Sequence, residues 1–416
     1  MENNNQRLKF NKDVKFFDVD NIPIMGNFGN RTVIGLDKDG INFISRVESD
    51  GIEAEPDNLT EKEQILFDAL KENGYFDPDK PKKISSAYVH VTDNCNLHCV
   101  GCYSFKENRN DKKDLPTDEI KRILKILVDN GVWTIVISGG EPFLRDDLSE
   151  ILKYAKETLK IKQLSIISNG TMPLEKYEKC IPYLDRISIS VDGYNNDTRF
   201  IRDPGIMPKV FETVKYLKGK IEVAMIATLH KKTSPIIDKY ADLSKNMDVP
   251  LSFSILTLDY SNPIFKDYIL GEEDFHNMNN YIMNNNDVVV NDSMVGHVGI
   301  SANKGCGAGK SLISIGADGA IYPCQMMHCD ELILGNILTD DIQEVLSSDK
   351  NICKDVYVDD FFECRDCKYK YICGGGCRAS SYYKYKDVLH PEIGCKQAKK
   401  LFEEIVNKTK ETFNIE

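Results

Sequence analysis

Residues 92–102 read Thr-Asp-Asn-Cys-Asn-Leu-His-Cys-Val-Gly-Cys and directly follow a short apolar strand predicted at Ala87–Val91. Their cysteines, Cys95, Cys99 and Cys102, have the spacing C-x3-C-x2-C. A loop this short can hold three corners of a cubane iron-sulfur cluster, and having only three thiolates leaves one iron without a protein ligand. We therefore predict a cluster with one open iron, at which chemistry can occur.

The competing interpretation of this loop is a zinc site. Structural zinc usually has four ligands, which are commonly supplied by C-x2-C pairs. His98 could act as a fourth ligand beside the three cysteines. A tight cysteine triplet at the C-terminal end of a strand is a poor match to that pattern, so the spacing favours an iron-sulfur cluster.

Short apolar strands alternate with amphipathic helices from Ser85 to about Ile255. The helices carry apolar residues at positions i, i+3, i+4 and i+7, as in the stretch Ile120–Leu127. Successive crossovers of this kind build a parallel sheet that can curl into an open barrel. We therefore predict an α/β core that forms a partial (βα)6 TIM-like barrel. The predicted strands are Ala87–Val91, Thr134–Ile137, Gln163–Ile167, Arg186–Val191, Ile221–Thr228 and Leu251–Ile255.

Residues 1–82 are predicted to form a separate small α+β, winged-helix-like domain. A β-hairpin is predicted from strands at Arg31–Leu36 and Ile41–Ser45, joined by a turn at Asp37–Gly40. A helix follows, with Thr60 as its N-cap and Glu63 completing a capping box.

The composition limits the partners and the location of the chain. A net charge of -12 opposes binding to nucleic acid, which depends on clustered lysine and arginine. No apolar run approaches the roughly 18 residues of a membrane span, and the N-terminus lacks the apolar stretch of a secretory signal. We therefore expect a cytoplasmic protein without membrane attachment. In that reducing compartment, its 13 cysteines favour metal or cluster ligation over disulfides.

A glycine pair ends the second predicted strand of the core, in Ser138-Gly139-Gly140-Glu141-Pro142. Two glycines let the backbone approach a ligand closely, and the Glu141 carboxylate can pair with an ammonium group. Polar residues also end the next two strands, at positions 167–170 and 188–193. Because the C-terminal ends of barrel strands converge on one face, we expect all these residues at one site.

With these motifs in this order, the chain resembles the radical SAM superfamily as far as Ile255. The resemblance implies that the cysteine triplet binds a 4Fe-4S cluster, whose free iron is chelated by S-adenosylmethionine (SAM). The glycine-rich turn is similar to the family's GGEP motif, which makes Glu141 the expected partner of the SAM amino group. The sequence departs from the family at Gly101, where an aromatic residue is common, and places Tyr103 just after the third cysteine.

The same resemblance implies further SAM contacts at the ends of the core strands. For each of these residues singly, a role in a turn or cap is the alternative. Besides Glu141, the expected SAM-binding residues are Gly139, Gly140, Ser168, Asn169, Ser190 and Arg202.

A third domain is predicted at residues 298–416, after a core domain with bridging region at residues 83–297. Two of its seven arrayed cysteines and one glycine give the pattern C-x12-G-x4-C, and five more give C-x2-C-x5-C-x3-C-x17-C. Structural zinc is the competing interpretation, which the C-x2-C pair permits but the long intervals do not favour. The seven are Cys306, Cys324, Cys364, Cys367, Cys373, Cys377 and Cys395.

This array resembles the SPASM extension of peptide-modifying radical SAM enzymes, which carries two auxiliary 4Fe-4S clusters and brings the expected total to three. The proximal set lacks one thiolate, because Leu312 stands where some relatives supply a cysteine. An open iron or a ligand from elsewhere is implied, with Cys329 as a candidate ahead of Cys180 and Cys353, although an isolated cysteine is more often a small buried hydrophobe. The expected distal ligands are Cys364, Cys367, Cys373 and Cys395, and the expected proximal ligands are Cys306, Cys324 and Cys377.

The resemblance also implies a reaction and a substrate. Reductive cleavage of SAM would give a 5′-deoxyadenosyl radical that abstracts hydrogen from an unactivated carbon. The N-terminal domain resembles the precursor-recognition domain of many peptide maturases, in which a leader peptide adds a strand to a sheet edge. We therefore predict a thioether or other crosslink in a ribosomally synthesised precursor peptide, with a flavodoxin- or ferredoxin-type electron donor. A plain stabilising role for the N-terminal domain is the alternative.

Three other functions stay open at the level of the sequence. An anaerobic sulfatase-maturing enzyme typically has an aspartate base just after the second proximal cysteine, where this chain has the neutral amide of Gln325. A peptide epimerase would perform hydrogen exchange, whereas two auxiliary clusters suit net oxidation better. From a different class, the chain could be a non-catalytic iron-sulfur electron carrier.

Overall fold

Two sheets organise the protein. The computed structural model describes residues 7–79, 83–111, 113–197, 200–285, 289–291, 294 and 299–413. Within these ranges, a three-stranded antiparallel sheet lies near the N-terminus and a ten-stranded, mainly parallel sheet forms the core. A search of the same ranges finds no helix with the length and apolar character needed to cross a bilayer.

The N-terminal module consists of a β-meander followed by two helices. Its elements are β1 (Val14–Val19), β2 (Ile22–Asn27), β3 (Thr32–Gly35), α1 (Lys38–Asp50) and α2 (Glu61–Glu72). The middle strand, β2, pairs with both of its neighbours. The capping box predicted at Thr60 and Glu63 is confirmed at the start of α2. The two helices cover one face of the sheet and share a small core with it that includes Met25, Phe43 and Leu70.

The prediction of a second hairpin strand at Ile41–Ser45 is wrong, because these residues lie inside α1. The expected turn at Asp37–Gly40 is instead the start of that helix, where the Asp37 carboxylate accepts a hydrogen bond from the Gly40 N–H at 2.8 Å. The alternation of apolar residues at 41 and 43 resembled a strand. The buried residues Gly40, Phe43, Ile44 and Val47 follow the i, i+3, i+4, i+7 spacing of a helix, which was the better signal.

The predicted core strands are confirmed, each to within one residue at either end. They are all parallel and lie in chain order from β4 to β9, so each crossover helix returns the chain to the next strand. The strands are β4 (Ser86–His90), β5 (Thr134–Ser138), β6 (Gln163–Ser168), β7 (Arg186–Ser190), β8 (Glu222–Leu229) and β9 (Leu251–Ile255), followed by the two-residue β10 (Val289–Val290).

Amphipathic helices cover the outer face of this sheet. The first of them, α3, buries Ile120, Ile123, Leu124 and Leu127, which is the predicted stripe. The core and bridging helices are α3 (Thr117–Asp129), α4 (Leu148–Lys153), α5 (Leu174–Cys180), α6 (Met207–Leu217), α7 (Ile237–Met247) and α8 (Glu272–Asn284).

The C-terminal cysteine-rich part continues the core sheet. Its strands are β11 (Leu312–Ile315), β12 (Ala320–Tyr322) and β13 (Gly335–Asn336). Strand β11 pairs in parallel with β4, with Leu312 opposite Ser86, and forms an antiparallel hairpin with β12. The remaining helices are α9 (Ile342–Ser347), α10 (Lys370–Cys373), α11 (Arg378–Tyr385) and α12 (Cys395–Phe413). The pairing fixes this part of the chain at the edge of the barrel.

The second face of the N-terminal sheet packs on the C-terminal part of the chain. The ring centroids of Phe17 and Tyr371 are 5.2 Å apart, and Asp20 forms an ion pair with Lys368 at 2.8 Å. A Cβ atom at Gly26 would lie 3.1 Å from Ala302. The N-terminal module is therefore packed against the cysteine-rich part.

Candidate functional site

A cavity of about 260 Å³ opens at the C-terminal ends of the core strands. All three cysteines of the first set line it, together with six of the seven predicted SAM-binding residues. Those six are Gly139, Gly140, Ser168, Asn169, Ser190 and Arg202. Glu141 is fully buried behind the wall and does not line the cavity. The structure thus brings the sequence motifs together at one site, with one exception.

The glycine pair contacts the cysteine loop through backbone. Gly140 N–H donates to the Thr92 carbonyl at 2.8 Å, and the next N–H, of Glu141, donates to the Asn94 carbonyl at 2.8 Å. A Cβ atom at Gly140 would lie 2.1 Å from the Asn94 carbonyl oxygen, and Gly139 adopts a positive φ of 136°. The glycines are therefore required to dock the cysteine loop onto the end of β5, in addition to any contact with a ligand.

Two arginines direct nitrogen donors at the cysteine sulfurs. Arg109 Nη2 lies 3.4 Å from Cys102 Sγ, and Arg202 Nη1 lies 3.6 Å from Cys99 Sγ. Asp192, which is 1% exposed, forms an ion pair with Arg202 and holds the guanidinium in place. The two guanidinium groups supply positive charge where thiolates or a cluster would carry negative charge.

Burial and the arginines act in opposite directions on the thiols. Burial raises the pKa of Cys99 to about 11, although the charge of Arg202 counteracts it. Burial alone would also raise the pKa of Cys102, but hydrogen bonds from Ser104 and Arg109, with the charge of that arginine, bring it below its usual value. Cys102 is therefore the thiol of this pair that loses its proton more readily.

Glu141 lies buried behind the cavity wall, where it forms hydrogen bonds with residues that line the cavity. Its carboxylate accepts hydrogen bonds from the N–H groups of Asn169 at 2.7 Å and Phe143 at 3.1 Å, and from the Ser168 hydroxyl at 3.0 Å. The Asn169 amide in turn has its Nδ2 atom 4.0 Å from Cys95 Sγ. The carboxylate thus positions Ser168 and Asn169, which do line the cavity, and its expected contact with a SAM amino group stays a prediction.

Gly101 explains the missing aromatic residue before the third cysteine. It has a positive φ of 69°, and its Cβ atom would lie 2.8 Å from a methyl group of Leu258. The neighbouring Leu256 and the ring of Tyr103 line the cavity instead. Tyr103 is held by a 2.8 Å hydrogen bond between its hydroxyl and that of Ser138. Tyr103 and Leu256 thus supply the aromatic and aliphatic parts of the cavity wall, in place of a side chain at position 101.

The sequence did not identify every residue of the site. Arg109 lies in an irregular loop after the cysteines, and no spacing rule connects it to Cys102. Gln325 and Met326 line the cavity from the C-terminal part, because the β11–β12 hairpin places them at the barrel opening. The side-chain oxygen of Gln325 is buried and has no hydrogen-bond partner among the described residues. It is a polar atom available to a ligand.

The later cysteines form two groups. Cys364, Cys367, Cys373 and Cys395, the predicted distal ligands, all line one small hollow beside α12. In the predicted proximal group, Cys324 is buried near the thiols of Cys306 and Cys377, and burial together with these neighbours raises its pKa.

Cys329 is a half-buried thiol in the segment that follows Cys324. Burial raises its pKa to about 11, and its neighbours Glu331 and Tyr383 form hydrogen bonds with it. The Tyr383 phenol is also close enough to the Cys324 thiol for that thiol to raise its pKa. Cys329 therefore stays a candidate for the missing proximal ligand.

The first prediction concerns the glycine pair. Replacing Gly140 with alanine should lower the free energy of unfolding by about 1–3 kcal/mol and displace the cysteine loop, because the added methyl group overlaps the Asn94 carbonyl. Urea unfolding and iron content after anaerobic reconstitution would measure both effects. Gly35→Ala is the matched control, since no atom lies within 4 Å of its added Cβ. Equal behaviour of the two variants would contradict the docking role.

The second prediction concerns Glu141. Glu141→Gln replaces an acceptor oxygen with an amino group, which leaves at least one of the three donors unpaired, so the free energy of unfolding should fall by about 1–3 kcal/mol. Urea unfolding and SAM binding would be measured side by side, with the partly exposed Glu119→Gln as control. Weaker SAM binding at unchanged stability would show instead that the carboxylate contacts the cofactor.

Family profiles match two parts of the chain. Residues 89–242 match the radical SAM superfamily, and residues 306–368 match SPASM, an iron-sulfur cluster-binding domain. A probable GTP 3',8-cyclase of Methanococcus maripaludis (strain C5) is 42% identical over 118 residues, or 27% of this chain and 38% of that protein. The chain thus spans little more than a third of that relative. An AdoMet-dependent heme synthase of Methanosarcina barkeri is 25% identical over 73% of this chain and 94% of its own length.

Solved structures share the fold over most of the chain. Native anSMEcpe with bound AdoMet has a TM-score of 0.64 and 21% identity, covering 80% of this chain and 100% of its own. SuiB of Streptococcus suis, bound to the precursor peptide SuiA, has a TM-score of 0.60 and 18% identity, covering 94% of this chain and 100% of its own. A share of 94% includes most of the N-terminal module. The two profile matches show that the chain contains a radical SAM domain at residues 89–242 and a SPASM iron-sulfur cluster-binding domain at residues 306–368.

Proposed function

We propose that this protein oxidatively modifies a ribosomally synthesised precursor peptide, by forming a thioether or other crosslink, using SAM and three 4Fe-4S clusters. The observation that carries the proposal is the unpaired edge of the N-terminal sheet, which can take up a peptide strand. The radical SAM and SPASM matches support the chemistry. SuiB, whose structure contains a precursor peptide, supports the substrate class, since its fold extends over the N-terminal module as well.

The residues around the cavity fit a cluster and SAM. The N–H donors of Arg109, Arg202 and Asn169 approach one cysteine sulfur each, and such donors stabilise the negative charge of thiolates that hold a cluster. When bound at the open iron, SAM supplies the radical that removes a hydrogen atom from the substrate. The buried Gln325 oxygen and the apolar side chain of Met326 lie opposite, where a peptide would be positioned.

Aromatic and apolar side chains form part of the cavity wall. Tyr103 is partly buried in the wall, and this burial raises its pKa to about 12, so the phenol stays protonated at neutral pH. Apolar side chains of Ile201, Leu256 and Met326 complete the wall. A dry cavity protects a carbon radical from side reactions. The two later cysteine groups would hold the auxiliary clusters, which accept the electron released from the substrate, and a flavodoxin- or ferredoxin-type protein would supply electrons.

The outer edge of β3 is the proposed docking site for a leader peptide. In an antiparallel pair, alternate residues direct their backbone groups away from the partner strand. The Leu36 N–H donates to the Pro23 carbonyl at 2.9 Å, so Leu36 and every second residue before it bond to β2. The residues between them, Val33 and Gly35, therefore direct their N–H and C=O groups away from β2. No backbone partner for these groups exists in the described ranges. Such an edge can add a peptide strand.

Gln325 bears on the choice between crosslinking and a sulfatase-maturing activity. Its amide lies in the wall of the cavity, at the position expected for a catalytic aspartate. An amide cannot accept a proton as a carboxylate does. The residue can form hydrogen bonds to a peptide but cannot act as that base, which favours crosslink formation.

The mass of the product tests the proposed reaction. The reconstituted enzyme, SAM, a reductant and a precursor peptide encoded beside the gene should give a product that is lighter by two hydrogens. High-resolution mass spectrometry with fragmentation would locate the bond. An unchanged mass with deuterium gained at a Cα position would identify an epimerase and contradict the proposal.

A proline in the β3 edge tests leader docking. Val33→Pro removes an outward N–H without removing a bond to β2, so it should weaken binding of a labelled precursor at least about tenfold, measured by fluorescence anisotropy. The matched control is Phe16→Pro, which removes an outward N–H from β1 at the opposite edge of the same sheet. Equal affinities of the two variants would exclude β3 as the docking edge.

A further inference from the structure

The proximal cysteine group has a fourth cysteine close to it that the sequence pattern did not select. Cys353 lies in the irregular segment after α9 and is 1% exposed. Its thiol is close enough to those of Cys324 and Cys306 to contribute to the raised pKa of Cys324 and to have its own raised by Cys306. Its sequence position, between Cys324 and Cys364, matches no interval of the SPASM array. Only the folded chain brings it near the other three.

Hydrogen bonds fix the loop of Cys306 between the segments that carry Cys324 and Cys353. On one side, the Gly309 N–H donates to the Pro323 carbonyl at 2.8 Å, directly before Cys324. On the other side, the buried Asn351 donates to the Gly309 carbonyl at 2.8 Å and accepts from the Cys353 N–H at 3.2 Å. One glycine thus connects the three cysteine-bearing segments.

The close contact between Gly309 and Asn351 fixes the distance between the segments that carry Cys306 and Cys353. Its φ is 65°, and a Cβ atom there would lie 2.4 Å from Asn351 Oδ1. A second pair of bonds secures the same two segments, from Lys310 Nζ to the Val356 carbonyl at 2.6 Å and from the Val358 N–H to the Lys304 carbonyl at 2.9 Å. The segment around Cys353 is therefore held rigidly against the loop after Cys306.

The charges around Cys353 agree with this position. Burial raises its pKa to about 12, with the neighbouring Cys306 thiol adding to the rise, while Arg378 and Lys310 act against it. Arg378 directly follows Cys377 in the chain. Cys353 thus has as neighbours the predicted ligand Cys306 and two cations, Arg378 and Lys310, that can offset the charge of a cluster.

We propose that Cys353 is the fourth thiolate ligand of the proximal cluster, beside Cys306, Cys324 and Cys377. This inference rests on the proposed function, because it takes the auxiliary clusters as present. A cluster with four cysteine ligands has no free iron, so the proximal cluster would transfer electrons and would not bind a substrate thiolate. The open iron in the protein would then be confined to the cluster of Cys95, Cys99 and Cys102.

The test uses the full-length chain in which Cys95, Cys99 and Cys102 are replaced by alanine, so that only auxiliary clusters remain. After anaerobic reconstitution this parent should contain about eight irons per chain. Mild ferricyanide oxidation removes iron from a cluster that has an open site and gives a 3Fe-4S signal in electron paramagnetic resonance. The parent should give no such signal. Adding Cys353→Ala should either produce this signal with loss of about one iron per chain, or lower the iron content by about four per chain without a signal because the whole proximal cluster is lost.

Cys329→Ala in the same parent is the matched control and should behave as the parent does. If Cys353→Ala keeps the parent's iron content and resists oxidation, or if Cys329→Ala alone produces the new signal, the assignment is wrong. Should the Cys353 variant fail to fold, judged by circular dichroism, the parent still decides: a 3Fe-4S signal from the parent overturns the assignment. A parent with no auxiliary iron at all would overturn the proposed function along with this inference.

Discussion

The site depends on a backbone-to-backbone contact between the cysteine loop and the turn after β5. Two consecutive N–H groups, of Gly140 and Glu141, bind the carbonyls of Thr92 and Asn94, and there is no space for a side chain between them. This contact fixes the position of the cysteine loop, which starts at Cys95, relative to the end of β5. The donors of Arg109 and Arg202 can then approach the cysteine sulfurs because the loop has one position relative to the barrel.

A second constraint is the pairing of β11 with β4, which joins the SPASM part to the barrel through a continuous sheet. The hairpin carries Gln325 and Met326 into the wall of the SAM cavity. It also aligns Cys324 with the loop of Cys306 through the bond from Gly309 to Pro323. The distance between the radical site and the auxiliary cysteines is thus set by strand register, and the N-terminal module packs on the far side of the same unit.

The sequence predicted the parts of the structure that repeat. Six core strands were placed to within a residue because β-α alternation is periodic, and the cysteine sets were recognised by their spacing. It failed where local patterns compete, as in α1, where alternation at Ile41–Ser45 concealed a helical stripe and an Asp37 cap. It also could not report the contacts that a buried side chain makes in the folded chain. Glu141 was expected to bind a ligand, and its hydrogen bonds with Phe143, Ser168 and Asn169 are visible only in the structure. Arg109 and the cavity contact of Gln325 are products of tertiary packing that no spacing reports, and for the same reason the sequence ranked Cys353 behind Cys329 as a proximal ligand.

The β4–β11 pairing has a consequence for biosynthesis. Ser85 and Ser311, which hydrogen-bond beside these strands, are 226 residues apart in the chain. While the protein emerges from the ribosome, the first barrel strand therefore keeps one edge unpaired until most of the polypeptide has been translated. Contacts this distant in sequence form late and slowly. Iron and sulfide can reach the nascent cysteine loop during that interval, before the C-terminal hairpin seals the barrel over it.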